Sequence, residues 1–336
     1  WEKRTLPFLR TSEFLWQEGH TAHENEEDAR KETMTMLDVY TDFVENVLAI
    51  PVIKGQKTPS EKFAGAVDTY SIEAMMKDGR AVQAGTSHYL GTNFAVAFDI
   101  KYLSRENTQE YCHTTSWGVS TRLIGALIMV HGDDRGLVLP PKVAPTQVIM
   151  IPIGPAKTRE AVIAKTDELY AQLKAAGIRV RVDDRTDVSP GWKFNEYEMR
   201  GIPVRLELGP RDLENGVCVL VSRVSGEKKQ VPLDNLVDEV KAMLDEVHAD
   251  MFKRALAFRD EHFFSIETLD ELKSALEEKR GFALAGWCGS DDCEKRVKDE
   301  TGATSRNIPF EPAEHKSQCL VCGQPSKHTV VFARAY

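Results

Sequence analysis

Four cysteines near the C-terminus are the most pointed chemistry in the sequence. They fall as Cys288-x4-Cys293 and Cys319-x2-Cys322, with 25 residues between the pairs. Two close thiolate pairs suit Zn2+, which takes four soft ligands in a tetrahedron at about 2.3 Å. Gly289 and Gly323 stand beside the pairs and permit the tight turns that aim neighbouring thiolates at one ion. Four protein ligands leave no position for water, so the spacing predicts a structural metal and not a catalytic one. Two disulfides are the alternative, but they belong to secreted chains, and no other feature here points to secretion. Cys112 and Cys218 stand alone and are expected in the core.

Three polar constellations lie further towards the N-terminus. In Phe8-Leu-Arg-Thr-Ser-Glu-Phe-Leu-Trp-Gln-Glu-Gly-His20, Arg10 sits in an expected turn between strands, with Phe14 four residues on. An arginine fork can hold a polyphosphate while an aromatic face stacks a base. Gln83-Ala-Gly-Thr86-Ser-His88 is a polar run in an apolar setting that could hydrogen-bond a small ligand. Gly118-x3-Arg122 stands at an expected strand-to-helix turn, where glycine permits close approach and arginine suits phosphate oxygens. Taken singly, each has a plainer reading: core aromatics alternating on a strand, a satisfied buried network, and a surface arginine.

The elements that must position these groups follow from periodicity. Residues 5–9 and 13–16 read as strands closing at Gly19. An amphipathic helix is expected over 25–50, with Met36, Leu37, Tyr40, Phe43, Val44, Val47 and Leu48 on one stripe. Its first turn is acidic (Glu26, Glu27, Asp28), as the helix dipole favours. Short strands with glycine turns are expected over 51–121, then a strand through 116–122 feeding a buried helix. Pro140, Pro141 and Pro145 mark a boundary. Beyond it, strands at 147–153, 178–182, 204–208 and 217–221 and a helix over 158–176 read as a compact α/β unit. A long helix over 235–259 leads to a second, opened by a Thr268-x-x-Glu271 capping box. Strands at 282–287 and 330–333 flank the cysteine pairs.

The 336 residues fit two or three domains. With 42% hydrophobic and 28% charged residues, the chain is not a disordered one. No apolar run nears the ~18 residues of a membrane span. The net charge of -9 argues against a basic nucleic-acid coat protein.

Together the constellations resemble class II aminoacyl-tRNA synthetases, in the wording of the prolyl-tRNA synthetase family of the archaeal/eukaryotic type. The run from Trp1 through Phe8-Leu-Arg10 to His20 is similar to that family's motif 2, and Ser116-Trp-Gly-Val-Ser-Thr-Arg122 to motif 3. Lys62-Phe-Ala-Gly65, Gln83 to His88, Met129-Val-His-Gly-Asp-Asp134 and Gly136-Leu-Val-Leu-Pro-Pro141 continue the likeness. So do Pro190-Gly-Trp-Lys-Phe194, Leu206-Glu-Leu-Gly-Pro-Arg-Asp212, the four cysteines and Tyr336. The likeness covers essentially the whole chain.

The resemblance implies a multidomain α/β and α+β protein. A class II antiparallel-sheet catalytic domain, present in part, is expected over 1–142, an α/β anticodon-binding domain over 143–234, and a small zinc-containing α/β domain over 235–336. It implies ligation of L-proline to tRNA(Pro) through prolyl-adenylate, with ATP and Mg2+ at the catalytic site and structural Zn2+. A cytoplasmic homodimer without a membrane part is expected. Arg10 is expected on the γ-phosphate side of ATP, Phe14 on adenine, and Arg122 on the bent triphosphate from the other side. Gln83 and Thr86 are expected on ATP, and Glu2 near adenine and the tRNA acceptor end. Trp16, His88, Ser116 and Gly118 are expected in the proline pocket. Glu198, Arg205 and Arg211 match readers of the guanines of the proline anticodon. An arginine fork with a carboxylate is chemistry that suits a guanine edge. Lys193 is expected either as a phosphate contact or as a solvated charge, and the carboxylate of Tyr336 to lie towards the catalytic domain.

Two departures from the family bear on activity. An arginine immediately before Trp1, motif 1 and a Thr-x-Glu proline-binding loop lie upstream in the family. The sequence is therefore expected to be the C-terminal piece of a longer enzyme, one that does not activate proline by itself. About 90 residues separate motifs 2 and 3, too few for the inserted editing domain of bacterial-type enzymes. The alternative of a different class is an inactive paralogue or fragment that only binds tRNA. Retention of Arg10, Phe14, Gln83 and Arg122 speaks against it.

Overall fold

A computed structural model describes residues 5–336. The chain divides into two compact units. One takes in the stretch up to Asn46 with Ile50–Val130 and Leu256–Tyr336, and the other Val47–Ala49 with His131–Ala255.

The first unit opens on a turn, closed by the Leu6 N–H on Arg10 O at 2.7 Å and the Arg10 N–H on Leu6 O at 3.0 Å. The strands expected at 5–9 and 13–16 do not form. Phe8 has φ of 60°, which breaks an extended run, and laddering begins only where β1 (Trp16–His23) meets its partner at Ser120. Asn25 caps α1 (Glu26–Asp42) by accepting from the Asp28 N–H at 2.8 Å, and a π-helical turn follows at Phe43–Val47. Then come β2 (Val52–Gln56), β3 (Asp68–Met75), β4 (Ala81–Gly91) and α2 (Asn93–Phe98). A small ribbon, β5 (Lys101–Leu103) with β6 (Gln109–Tyr111), leads to β7 (His113–Ser120) and α3 (Arg122–His131).

The second unit carries the strand–helix alternation. Its elements are β8 (Val148–Pro152), α4 (Ala156–Ala175), β9 (Val180–Val182), α5 (Pro190–Met199), β10 (Val204–Leu208), α6 (Pro210–Glu214), β11 (Val217–Ser222), β12 (Lys228–Pro232) and, as far as Ala255, α7 (Leu236–Glu261). Among the described residues the sheet order is β12-β11-β10-β8-β9, with β8 parallel to both its neighbours. Every residue of β8 is buried, as a strand covered on both faces must be. Leu169 and Leu173 of α4 and Val240 and Val247 of α7 close its core.

The last stretch contains β13 (Phe263–Ser265), α8 (Leu269–Glu278), β14 (Phe282–Trp287), α9 (Asp291–Thr301), β15 (Thr304–Pro309) and β16 (His328–Ala333). The capping box forms: Thr268 Oγ1 accepts from the Glu271 N–H at 3.2 Å, and Glu271 Oε2 from the Thr268 N–H at 3.3 Å. These strands extend the sheet of the first unit. Among the described residues it runs β1-β7-β4-β3-β2-β15-β16-β14-β13, joined where Ile308 and Pro309 pair with Gln56 and Gly55.

Candidate functional site

A cleft of about 430 Å³ opens on one face of β1, β7 and β4. The register sets Trp16 beside Ser120, Glu18 beside Gly118, Gly118 beside Thr86, and Ser116 beside His88. Every second side chain of a strand reaches the same face, so these residues share the cleft. Gln83 lies three positions before Thr86, an offset that a regular strand would send to the opposite face. A bulge in β4, where Gly85 pairs with Ile72 but Gln83 with Glu73, rephases the strand and returns Gln83 to the cleft.

The 6–10 turn is held down on α3. Arg122 Nε donates to Leu9 O at 3.0 Å, and buried Leu9 packs on Gly125. A Cβ at residue 125 would stand 2.8 Å from Leu9 Cδ2, so any larger residue would make the Leu9 side chain shift off the helix. This closure brings Arg10 into the field of Arg122. Burial lowers the proton affinity of Arg122, and the charge of Arg10 lowers it further. Phe14 and Trp16 meet edge to face at 5.7 Å, and more than half of each remains exposed at the cleft mouth.

His88 is neutral near pH 7, because burial lowers it to about 4. Its Nδ1 is engaged by Thr69 Oγ1 at 3.0 Å, which leaves Nε2 to serve a ligand. Phe63 packs on its ring at 4.8 Å. The cleft thus gathers Arg10, Phe14, Trp16, Gln83, Thr86, His88, Ser116, Gly118 and Arg122. Glu2 lies outside the described residues. Glu18, Phe63 and Ser120 also line it and carry no role in the sequence reading. A period-two count from Trp16 and Gly118 finds Glu18 and Ser120 once the strands are registered. Tyr336 lies against the entry of β4: its N–H donates to Ala81 O at 3.3 Å and its hydroxyl to Asp78 Oδ2 at 2.5 Å.

The four cysteines converge. Cys288 follows β14, Cys293 opens α9, and Cys319 and Cys322 lie in the turn before β16. Their Sγ atoms all fall within 4.8 Å of one another, with Cys288 at 3.7 Å from Cys293 and 3.8 Å from Cys322. Four thiolates about 2.3 Å from one tetrahedral ion stand about 3.8 Å apart, so the cluster fits Zn2+. Gly289 and Gly323 have φ of 88° and 68°, the left-handed turns that the spacing asks for. Burial works to raise the Cys319 thiol, but backbone N–H groups of Cys322 and Val321 outweigh it and bring it to about 7. Cys112 and Cys218 are buried core residues, and burial pushes Cys218 up to about 12.

The second unit has a smaller pocket, about 170 Å³, that includes Glu198 and Arg205. Ser189 caps α5, which presents Phe194, Tyr197 and Glu198 at helical spacing. Arg205 lies over the Phe194 ring at 4.1 Å and donates to Glu207 Oε1 from Nε and Nη2 at 2.9 and 2.8 Å. Glu198 Oε1 accepts from Arg135 Nη1 at 2.6 Å. Arg211 is exposed on the first turn of α6 and is not among the lining residues. Lys193 is a correction. Its ammonium is buried and donates to Asp183 O at 2.9 Å and Arg185 O at 2.7 Å, so it is a structural tie and not a surface phosphate contact.

Over its full length the chain is 65% identical to a proline–tRNA ligase of Symbiobacterium thermophilum, across 343 aligned positions that make up 70% of that relative. The chain belongs to the proline–tRNA ligase family. Two further members, from Acetoanaerobium sticklandii and Bacillus cereus, are 54% and 53% identical over all of this chain and 69% and 70% of their own lengths. Family models match in three stretches. The tRNA synthetase class II core domain (G, H, P, S and T) matches 1–131, the anticodon binding domain 147–243, and the prolyl-tRNA synthetase C-terminal domain 269–336. In this proline–tRNA ligase family member the cleft thus falls in the class II core, the Glu198 pocket in the anticodon binding domain and the cysteines in the C-terminal domain. Alignments of 336 positions with a 336-residue chain leave these two relatives no large insertion within the matched region.

Proposed function

We propose that the protein ligates L-proline to tRNA(Pro) in two steps. A carboxylate oxygen of proline attacks the α-phosphorus of ATP and pyrophosphate leaves. A ribose hydroxyl at the tRNA 3′ end then attacks the acyl carbon of prolyl-adenylate, and AMP leaves. The observation that carries the reading is one cleft, in a chain 65% identical to a proline–tRNA ligase, where two arginines converge beside two open aromatic rings. Adenylate formation needs alignment and charge neutralisation more than proton transfer, and these groups supply both.

Arg10 and Arg122 are the catalytic residues of this reading, gripping the triphosphate from opposite sides; Mg2+, when bound, would add neutralisation of the triphosphate charge. Phe14 stacks on adenine, and Gln83, Thr86 and Glu2 complete the ATP contacts. Trp16 walls the proline ring, Gly118 leaves it room, and Ser116 with neutral His88 serves its polar end. In the second unit Glu198 and Arg205 read an anticodon guanine, and Arg211 a neighbouring one. Zn2+ on Cys288, Cys293, Cys319 and Cys322 holds the C-terminal part in shape. The functional division we propose is 1–142, 143–234 and 235–336, in a cytoplasmic homodimer. Among the described residues no helix is long and apolar enough to cross a membrane.

The test is acylation of tRNA(Pro) with labelled proline by the complete gene product. Stable prolyl-tRNA is expected, reduced when the anticodon guanines are replaced. Absence of prolyl-tRNA would reject the reading.

A further inference from the structure

A buried ion triad lies beside the cleft, and one member comes from the cysteine-bearing part. Glu73 on β3 accepts from Lys57 Nζ at 2.9 Å through Oε1, and from Arg306 Nε and Nη2 at 3.0 and 2.9 Å through Oε2. Glu73, Lys57 and Arg306 are 0, 5 and 7% exposed, so the three charges answer to one another and not to solvent. Burial works against the Glu73 charge, but Arg306 and Lys57 outweigh it and hold the carboxyl below its ordinary value. Buried ion networks are often no more stabilising than well-packed apolar residues. This one calls for a use beyond stability.

Its position indicates that use. Glu73 is the register partner of Gln83, immediately beyond the bulge that turns Gln83 into the cleft. Directly opposed residues share one face of a sheet, so the two stand side by side. The charges of Glu73 and Arg306 both reach Arg122. Trp16 and Ser116, by contrast, belong to β1 and β7, two or three strands away, and His88 pairs with Thr69, four residues along β3 from Glu73. The triad therefore flanks the nucleotide side of the cleft and not the amino-acid side.

We propose that Arg306 is a positioning residue for ATP: by fixing Glu73 against Gln83 it keeps the bulged β4 segment and the Arg122 field set for the triphosphate. This rests on the ATP-dependent reading above. It also ties the cysteine cluster to the cleft. Glu294, next to Cys293 on α9, accepts from Thr58 Oγ1 at 2.7 Å, one residue beyond Lys57.

The test measures Mg·ATP binding by calorimetry, with KM for ATP and for proline in ATP–pyrophosphate exchange, on the complete gene product. Arg306→Met is expected to weaken ATP on the order of tenfold in Kd and KM, while KM for proline stays nearly constant. Arg306→Lys keeps the charge and restores most of the affinity. Glu73→Gln weakens ATP comparably, and the double variant Arg306→Met/Glu73→Gln no further, because one residue acts through the other. The double variant also lacks the half-paired carboxylate that could unfold Arg306→Met, and melting is followed throughout. Equal losses for ATP and proline, additive losses in the double variant, or lower melting with ATP affinity unchanged would overturn the proposal. A wild-type protein that binds Mg·ATP without proline-dependent exchange would refute the ligase reading, yet Kd would still test Arg306. A wild-type protein that binds no ATP overturns both.

Discussion

The cleft of the first unit and the pocket of the second both present arginines, but their charges are answered differently. In the second unit Arg205 rests on Glu207, Arg135 on Glu198, Arg185 on Asp183 and Glu196, and Arg223 on Asp133. Arg223 holds the Asp133 carboxyl well below the usual carboxylate range. In the cleft, Arg122 makes no carboxylate pair among the described residues: it is tied to a neutral carbonyl, Leu9 O, and the repulsion of Arg10 outweighs the attraction of Glu73. Two cations that face one another gain from every negative charge set between them. An arginine already paired with a carboxylate has little net charge left to offer and recognises by hydrogen-bond geometry. The first arrangement suits a polyanion such as a triphosphate. The second suits a neutral, planar, polar ligand such as an unstacked base.

The contrast breaks most visibly at Arg122. Arg122→Ala is expected to cut proline-dependent ATP–pyrophosphate exchange by about 10²–10³-fold. An unchanged exchange rate would leave the cleft without its polyanion role. Removing the metal comes next. Because the cysteine-bearing strands continue the sheet of the cleft, Cys319→Ser is expected to lose zinc by metal analysis and to lower both melting temperature and exchange. Full zinc occupancy in this variant would refute the four-thiolate site.

Arg205→Ala sharpens the comparison from the other side. It should cost tRNA recognition about 1–3 kcal/mol in kcat/KM for charging while exchange stays at the wild-type rate. A matching loss of exchange would mean that the second unit does more than read RNA. The smallest effect is at His88. Its folded value of about 4 lies below the ordinary imidazole value of about 6.5. Between these values the unfolded chain binds more protons, so stability is present above the window and falls as pH drops through it. His88→Gln is expected to flatten the melting temperature against pH between 6.5 and 4; an unaltered slope would place the titrating group elsewhere.

Local chemistry made much of this legible in the sequence. Thr268 caps the helix it precedes, the acidic turn of Glu26, Glu27 and Asp28 opens α1, and the cysteine pairs sit close enough in sequence for spacing alone to suggest their convergence. What stayed hidden depends on distant partners. The 6–10 turn exists because Leu9 packs on Gly125, so apolar alternation alone reads as strand. Gln83 shares a face with Thr86 only through a bulge set by pairing with β3. Lys193 looks like any surface lysine until the carbonyls of Asp183 and Arg185 fold around it. The continuity of the sheet rests on Ile308 meeting Gln56, which no local pattern announces. Fold class and the cleft's main groups were therefore readable, and register and burial were not.

The central claim is that the cleft activates proline. Exchange of labelled pyrophosphate into ATP by the complete gene product, assayed with each of the twenty amino acids in turn, tests it most directly. The account predicts strong stimulation by proline, abolished in Arg122→Ala. Stimulation by another amino acid in its place, or exchange by no amino acid at all, would contradict it.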